Sequence, residues 1–241
     1  MRIADKRALW VTSTHKRVAE INKKYLKELN AQGNKTVRII AYHIPTNTKT
    51  NYPDYNERNK CYAVRGNSTT GSMKDPFPTH IDIAIGSRVR CTRNLNTEQG
   101  IYNGKMGTVY GFVFKNEPPI YNDNDELISH FAQYEDHQRE IPIVLVQMDE
   151  DDYLIESCIK NAPRIVPFGP IVGQNTIAGK YNRCMLPLLP ASARTANSVQ
   201  GVTAKYGVVV DPGMNTIYLY IYISNIYKFR YVQNIYYKYR Q

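Results

Sequence analysis

The tripeptide Val208-Val209-Val210, closed at once by Asp211-Pro212, constrains the fold more than any other stretch of this chain. Three consecutive β-branched residues leave no polar face, so a strand made of them is covered on both sides, as the strands of parallel sheets are. Pro212 then ends it, because proline has no N–H to give to a ladder. A second short apolar strand stands near the other end, at Leu9 to Val11. Thr12-Ser13-Thr14 follow it as candidate helix caps. Val18, Ile21, Tyr25 and Leu29 fall on one helical stripe, with Lys16, Lys23, Lys24 and Lys27 mostly off it, and Asn30 to Gly33 ends that helix. The simplest architecture is an α/β layer domain built from both chain ends and interrupted by a β-rich insertion. Two independent domains in series is the other arrangement these signals permit.

The bulk numbers fit either. A chain of 241 residues buries one good core or two modest ones. With 42% hydrophobic and 22% charged residues it is neither disordered nor fibrous in composition. Lys plus Arg number 31 against 21 acidic residues, and the resulting +10 favours a polyanionic partner or an acidic neighbouring domain. The four cysteines, Cys61, Cys91, Cys158 and Cys184, lie far apart and form no CxxC pair, which argues against a zinc ribbon. They read as small core residues in a reducing compartment. The N-terminal residues are charged and no apolar run reaches the length of a membrane span, so neither a secretory signal nor a membrane partner is expected.

Between the two ends the signals change twice. Residues 41–80 are rich in Asn, Thr, Pro and Tyr and read as a loop-rich connection, with a rigid turn at Asp75 to His80. From Ile81 onward, Ile83, Ile85, Val89 and Cys91 sit at even spacing, Asn103-Gly104 marks a turn, and Gly107 opens a run of strand residues. Ile141 to Met148 is a further strand, Asp149 to Asp152 an acidic turn, and Ile165 to Phe168 the strand that closes a small antiparallel barrel. Met185 to Leu189 returns to a core-like run, and Ala191 to Gln200 starts as a loop and turns into a short helix. The end of the chain, from Ile217, mixes tyrosines with Lys228, Arg230, Lys238 and Arg240 and has no acidic residue, a mixture that either stacks on bases or marks an altered or mistranslated end.

Catalytic patterns are weak. Gly173 to Lys180 and Gly66 to Ser72 come near a phosphate loop, but the first has five residues between its glycines and the second lacks the lysine. Both read as turns. There is no GxSxG elbow, and His15, His43, His80, His130 and His137 show no HExxH spacing; His130 and His137, seven apart, could share a helical face as paired metal ligands, with no Cys or third His beside them. Arg88, Arg90 and Arg93 alternate around Val89 and Cys91. They either meet the phosphates of single-stranded nucleic acid or form a solvated strand face.

Three blocks resemble the C-terminal half of the PIF-type superfamily 1 DNA helicases, including the helicase parts of Helitron-like mobile elements. They are LWVTSTHKRVAEINKKYLKEL (Leu9 to Leu29, with Asn22 matching a common Asn), IAIGSRVRCTRNLNTEQGIYNGKMGTVYGF (Ile83 to Phe112) and PLLPASARTANSVQGVTAKYGVVVD (Pro187 to Asp211). In the second block Arg93, Asn94, Gly100, Asn103, Gly104 and Gly107 match the family pattern. The resemblance implies a second RecA-like three-layer domain with an inserted SH3-like β-barrel. Its first part and connecting loops would occupy 1–80, the insertion 81–180, the remainder 181–225 and a Tyr-rich basic tail 226–241. In that family two RecA-like domains close on ATP and Mg²⁺ and open after hydrolysis, which moves the enzyme along single-stranded DNA, generally 5′ to 3′. Carried over, Thr195, Gln200 and Gly201 fall at the block that couples nucleotide to DNA, with Thr195 and Asn197 on the DNA and Gln200 and Gly201 on the nucleotide; Arg88, Arg90 and Arg93 are the further candidates for DNA contact, from their own alternation.

The chain also departs from the pattern. Asn197 stands where the family has His, Ser198 where it has Lys, and Asn225 where an Arg reaches the γ-phosphate. The expectation is a C-terminal fragment of an ATP-dependent helicase that does not hydrolyse ATP by itself. Its partners would be single-stranded DNA and a first RecA-like domain in cis or in trans, in the nucleus or another intracellular compartment that holds DNA. A stand-alone single-stranded nucleic-acid-binding module is the alternative.

Overall fold

The structure is a computed structural model and describes residues 8–47, 49–63, 77–114, 141–149, 155–177, 180–199, 208–211 and 235–237. The first half holds β1 (Leu9–Thr12), α1 (His15–Ala31), β2 (Val37–Ile40), β3 (Tyr42–Pro45), α2 (Tyr55–Ala63), β4 (His80–Ile83), β5 (Arg88–Cys91) and β6 (Met106–Val113). The second holds β7 (Ile143–Met148), β8 (Ile165–Phe168), β9 (Ile171–Ile177), β10 (Tyr181–Met185), β11 (Leu188–Pro190), β12 (Ala193–Thr195), a 3-10 turn (Ala196–Val199), β13 (Val208–Val210) and β14 (Ile235–Tyr237).

β1 lies inside a parallel sheet of order β12-β1-β13-β14, so its partners come from the far end of the chain. Trp10 faces Ala193 on one side and Val209 on the other. Leu9, Val11, Val208 and Val210 pack together with Val199 and Met106, the last reaching in from β6. α1 starts where Thr14 accepts a hydrogen bond from the Arg17 N–H at 3.3 Å, satisfying one of the unpaired donors of the first turn. Val18 and Leu29 on its apolar stripe are buried. Its end is set by Gly33, whose φ of +89° is natural only to glycine and whose N–H reaches the Asn30 carbonyl at 2.9 Å.

The rest is antiparallel. A five-stranded sheet has the order β11-β5-β6-β7-β8, a three-stranded one the order β3-β10-β9, and β2 pairs with β4. Their shared core includes Ile39, Ile83, Val89, Val144, Phe168 and Leu186. The closed SH3-like barrel expected over 81–180 is not formed: these sheets are open. β8 has no bond to β5, because β11, from outside the expected span, occupies the outer edge of β5. β9 then leaves for β10, and Pro190 at the end of β11 offers no donor for a further strand.

Other expectations also need correction. Ile83 to Cys91 is two strands, broken at Gly86 with φ +85°, and Ile85 is exposed. Residues 41–80 carry β3 and α2 besides loops. α2 begins at a capping box, in which Asp54 accepts from the Glu57 N–H at 2.8 Å and Glu57 accepts from the Asp54 N–H at 3.4 Å. The Gly173 to Lys180 segment, read as a turn, supplies residues 173–177 to β9, whose ladder pairing is unlike a phosphate-binding nest. Ile235–Tyr237 in the Tyr-rich tail joins β13 as a parallel edge strand. Three cysteines, Cys61, Cys91 and Cys184, are buried as expected, while Cys158 is exposed. Gly66 to Ser72, Glu150 to Asp152, His130, His137 and the 217–223 strand lie outside the described residues. Among the described residues no helix is long and apolar enough to cross a membrane.

β6 crosses β7 so closely at Gly107 that a Cβ there would stand 2.5 Å from Val146 Cγ1 and 2.6 Å from the Gln147 carbonyl oxygen. Val146 can turn aside, whereas the Gln147 backbone cannot. Gly107→Ala is expected to cost about 1–3 kcal/mol in urea unfolding, and the Val146→Ala background should recover only part of it.

Candidate functional site

The carboxyl ends of β1, β12 and β13 bring Thr12, Thr195 and Asp211 to one edge of the parallel sheet. Ligands of open α/β sheets bind in crevices at such an edge. Asp211 is buried and its N–H bonds the Val11 carbonyl at 2.9 Å. Its carboxylate accepts from the Thr12 hydroxyl at 3.2 Å and from Arg17 Nε at 3.0 Å. Arg17 also donates to Glu20 at 3.0 Å, and these two bonds, Asp211 first, hold its guanidinium charged more firmly than usual. Thr195 is half-buried and Asn197 exposed where the chain turns from β12 into the 3-10 turn. That turn is tied by the Ser198 hydroxyl donating to the Thr195 carbonyl at 2.8 Å. Asn22 of α1 accepts from the Ala193 N–H at 3.0 Å, which fixes the helix against β12.

Beside this edge lies a cleft of about 410 Å³ between α1, β4, β11 and β12. One stripe of α1 walls it, with His15, Ala19, Lys23 and Leu26 at helical spacing. Thr195 and Arg90 both line it, so the structure brings together two of the residues the sequence singled out. Arg88 and Arg93 go elsewhere. Arg88 is buried and forks onto Asp149, with Nη1 donating at 2.6 Å and Nη2 to the second oxygen, and Nη1 also reaches Thr108 at 2.9 Å. Arg93 lies 4.6 Å over the Phe77 ring and donates to the Thr92 carbonyl at 3.0 Å. Gln200 and Gly201 lie outside the described residues.

Arg194 was not singled out, yet it lines the cleft and is only 7% exposed. A signal was present: it is the one charged residue from Leu186 to Ala196. Among the described residues no group of three or more His, Cys, Asp or Glu side chains could hold a metal, and Asp211 is already held by Thr12 and Arg17.

No family model and no curated protein sequence matches the chain. Solved structures do. The Pif1 helicase from Candida albicans superposes with a TM-score of 0.52 at 15% identity, over 93% of this chain and 44% of that one. A Pif1 helicase solved to explain DNA unwinding at forked double-stranded DNA gives 0.51 at 16%, over 97% of this chain and 39% of that one. Unliganded Pif1 from Bacteroides sp. gives 0.50 at 16%, over 97% of this chain and 52% of that one. At such identities the likeness is one of fold: this chain is similar to part of a Pif1-type superfamily 1 helicase, and it spans about half or less of the length of each of these structures.

Proposed function

We propose that the chain serves as the second motor lobe of a superfamily 1 DNA helicase, gripping single-stranded DNA at the carboxyl edge of its parallel sheet. The observation that carries this reading is the sheet β12-β1-β13 with Thr195 and Asn197 at its open edge, in a fold similar to Pif1 helicases. A hydroxyl and an amide at that edge suit sugar and phosphate oxygens, which position a strand without reading its sequence. The surplus of 31 basic over 21 acidic residues adds a sequence-independent attraction. The division into a lobe drawn from both chain ends and a β-rich insertion over 81–180 belongs to the same proposal.

ATP turnover, on this reading, needs a first RecA-like lobe in cis or in trans. No segment of the sequence has the G-x-x-x-x-G-K-[ST] pattern, and Asn225 occupies the place of the family's γ-phosphate arginine. Such an arginine is worth about 10³–10⁵ in rate, and a neutral amide cannot replace its charge.

Fluorescence anisotropy with labelled oligo-dT tests the grip. Binding should weaken steeply with salt, and Thr195→Ala and Asn197→Ala should each loosen it about three- to ten-fold, the worth of one hydrogen bond. Binding that ignores both substitutions refutes the edge as the contact. DNA-stimulated ATP turnover by this chain alone refutes the need for a second lobe.

A further inference from the structure

Arg194 is in a position few arginines occupy. Its Nη2 donates to the Ser198 carbonyl, while Nε and Nη1 are buried without any hydrogen-bond partner. Cationic nitrogens shut away from water and left unpaired are costly, and native proteins rarely keep them without a reason. No carboxylate of the cleft answers this one. Asp82, the acidic side chain of the lining, is taken by Arg38 through two bonds of 2.8 and 2.9 Å. Arg90, 5% exposed, lines the same cleft and adds a second buried positive charge. Burial, and then the charge of Arg90, push the Arg194 guanidinium down to about 9. Burial lowers Arg90 as well. Lys23, His15 and His80 add further basic groups to the lining, and Val18, Ala19, Leu26, Ile81 and Leu189 supply its apolar part.

We propose that this cleft is a binding site for a phosphoryl group, anchored by Arg194 and Arg90, with Val18, Ala19 and Leu26 of α1 receiving the body that carries it. A phosphoryl group supplies the acceptors that Arg194 lacks, in the geometry a planar guanidinium fork matches. Its charge offsets the repulsion between the two arginines, and the half-apolar lining suits a ligand with one anionic end. The phosphoryl group is either that of a free nucleotide or that of a nucleic-acid backbone. The inference stands without the helicase reading, because it rests on the unpaired guanidinium and the cleft rather than on Asn197 or the fold.

Thermal unfolding of the full chain tests it, with inorganic phosphate, AMP or oligo-dT lacking a terminal phosphate added against acetate at matched ionic strength. Phosphate should raise the melting temperature of the wild type where acetate does not. Arg194→Met should raise the melting temperature in phosphate-free buffer, since it removes a buried unpaired charge, and should weaken phosphate binding at least about ten-fold. Loss of the AMP effect with oligo-dT binding unchanged assigns the site to free nucleotides; oligo-dT binding weakened as much assigns it to the backbone. An Arg194→Met variant destabilised without phosphate, or stabilised by phosphate as the wild type is, overturns the proposal. So does an equal response to acetate. On the wild-type chain alone, the Arg194 Nε–H resonance should move as phosphate is titrated, and a resonance unmoved at saturation overturns the proposal whether or not the variant folds.

Discussion

Asp149→Ala is expected to destabilise the protein by about 3–5 kcal/mol. Asp149 follows β7 and Arg88 lies on β5, so their ion pair reaches across the intervening β6, where Thr108 takes a further bond from Arg88 at 2.9 Å. Both side chains are almost wholly buried, at 4% and 9% exposed. Alanine would take the bidentate carboxylate away from a guanidinium held in the core. The pair itself is worth far less than its disruption costs, because both charges were desolvated to make it. Urea unfolding should therefore show the Arg88→Met/Asp149→Leu double variant more stable than Asp149→Ala. A single variant that loses less than about 1 kcal/mol would show that the ion pair does not hold β5 and β7 together.

Arg183→Ala is expected to cost about 3–5 kcal/mol by the same measurement, for a different reason. Arg183, on β10, is 1% exposed and among the largest fully buried side chains. Its Nε donates to His43 Nε2 on β3 at 3.1 Å, Nη1 to the Phe77 carbonyl ahead of β4, and Nη2 to the Cys61 carbonyl in α2 at 2.6 Å. One side chain thus fastens four pieces of backbone. Its removal empties a large space and leaves two carbonyls without these donors. Against that stands the cost of the charge, since burial pushes this guanidinium down to about 10. Arg183→Met fills the space and sheds the charge, so it should lose only about 1–3 kcal/mol. Equal losses for the two variants would mean that packing contributes nothing at this position.

The two ends of the chain were legible because their signals are local. The stripe Val18, Ile21, Tyr25 and Leu29 and the cap Thr14 lie within one helix, and Val208 to Val210 shows its burial in its own composition. β3 leaves little trace in the sequence because it is four residues long and finds its partner β10 far along the chain. α2 did announce itself through the capping box Asp54 and Glu57, but no apolar stripe follows to extend that signal. The barrel fails to close for a non-local reason: which strand takes the outer edge of β5 depends on Leu188–Pro190, outside the segment whose alternation suggests closure. Alternation of Arg88 and Arg90 likewise cannot distinguish a wet face from a buried one, because the deciding group, Asp149, is 61 positions away. At the site, the sequence singles out Thr195 and Arg90 separately and does not show that they share one cleft, while Arg194 could have been found as a lone charge in an apolar run.

β1 sits between β12 and β13, so it emerges from a ribosome long before either neighbour has been translated. Until then both of its hydrogen-bonding edges are open, and its apolar residues have only nascent chain or chaperone to cover them. Contacts of such sequence separation also slow folding once synthesis ends. A circular permutant that starts at the β-rich middle and delivers β12, β13 and β1 in succession would shorten that wait, and so acquire native structure sooner and aggregate less during expression.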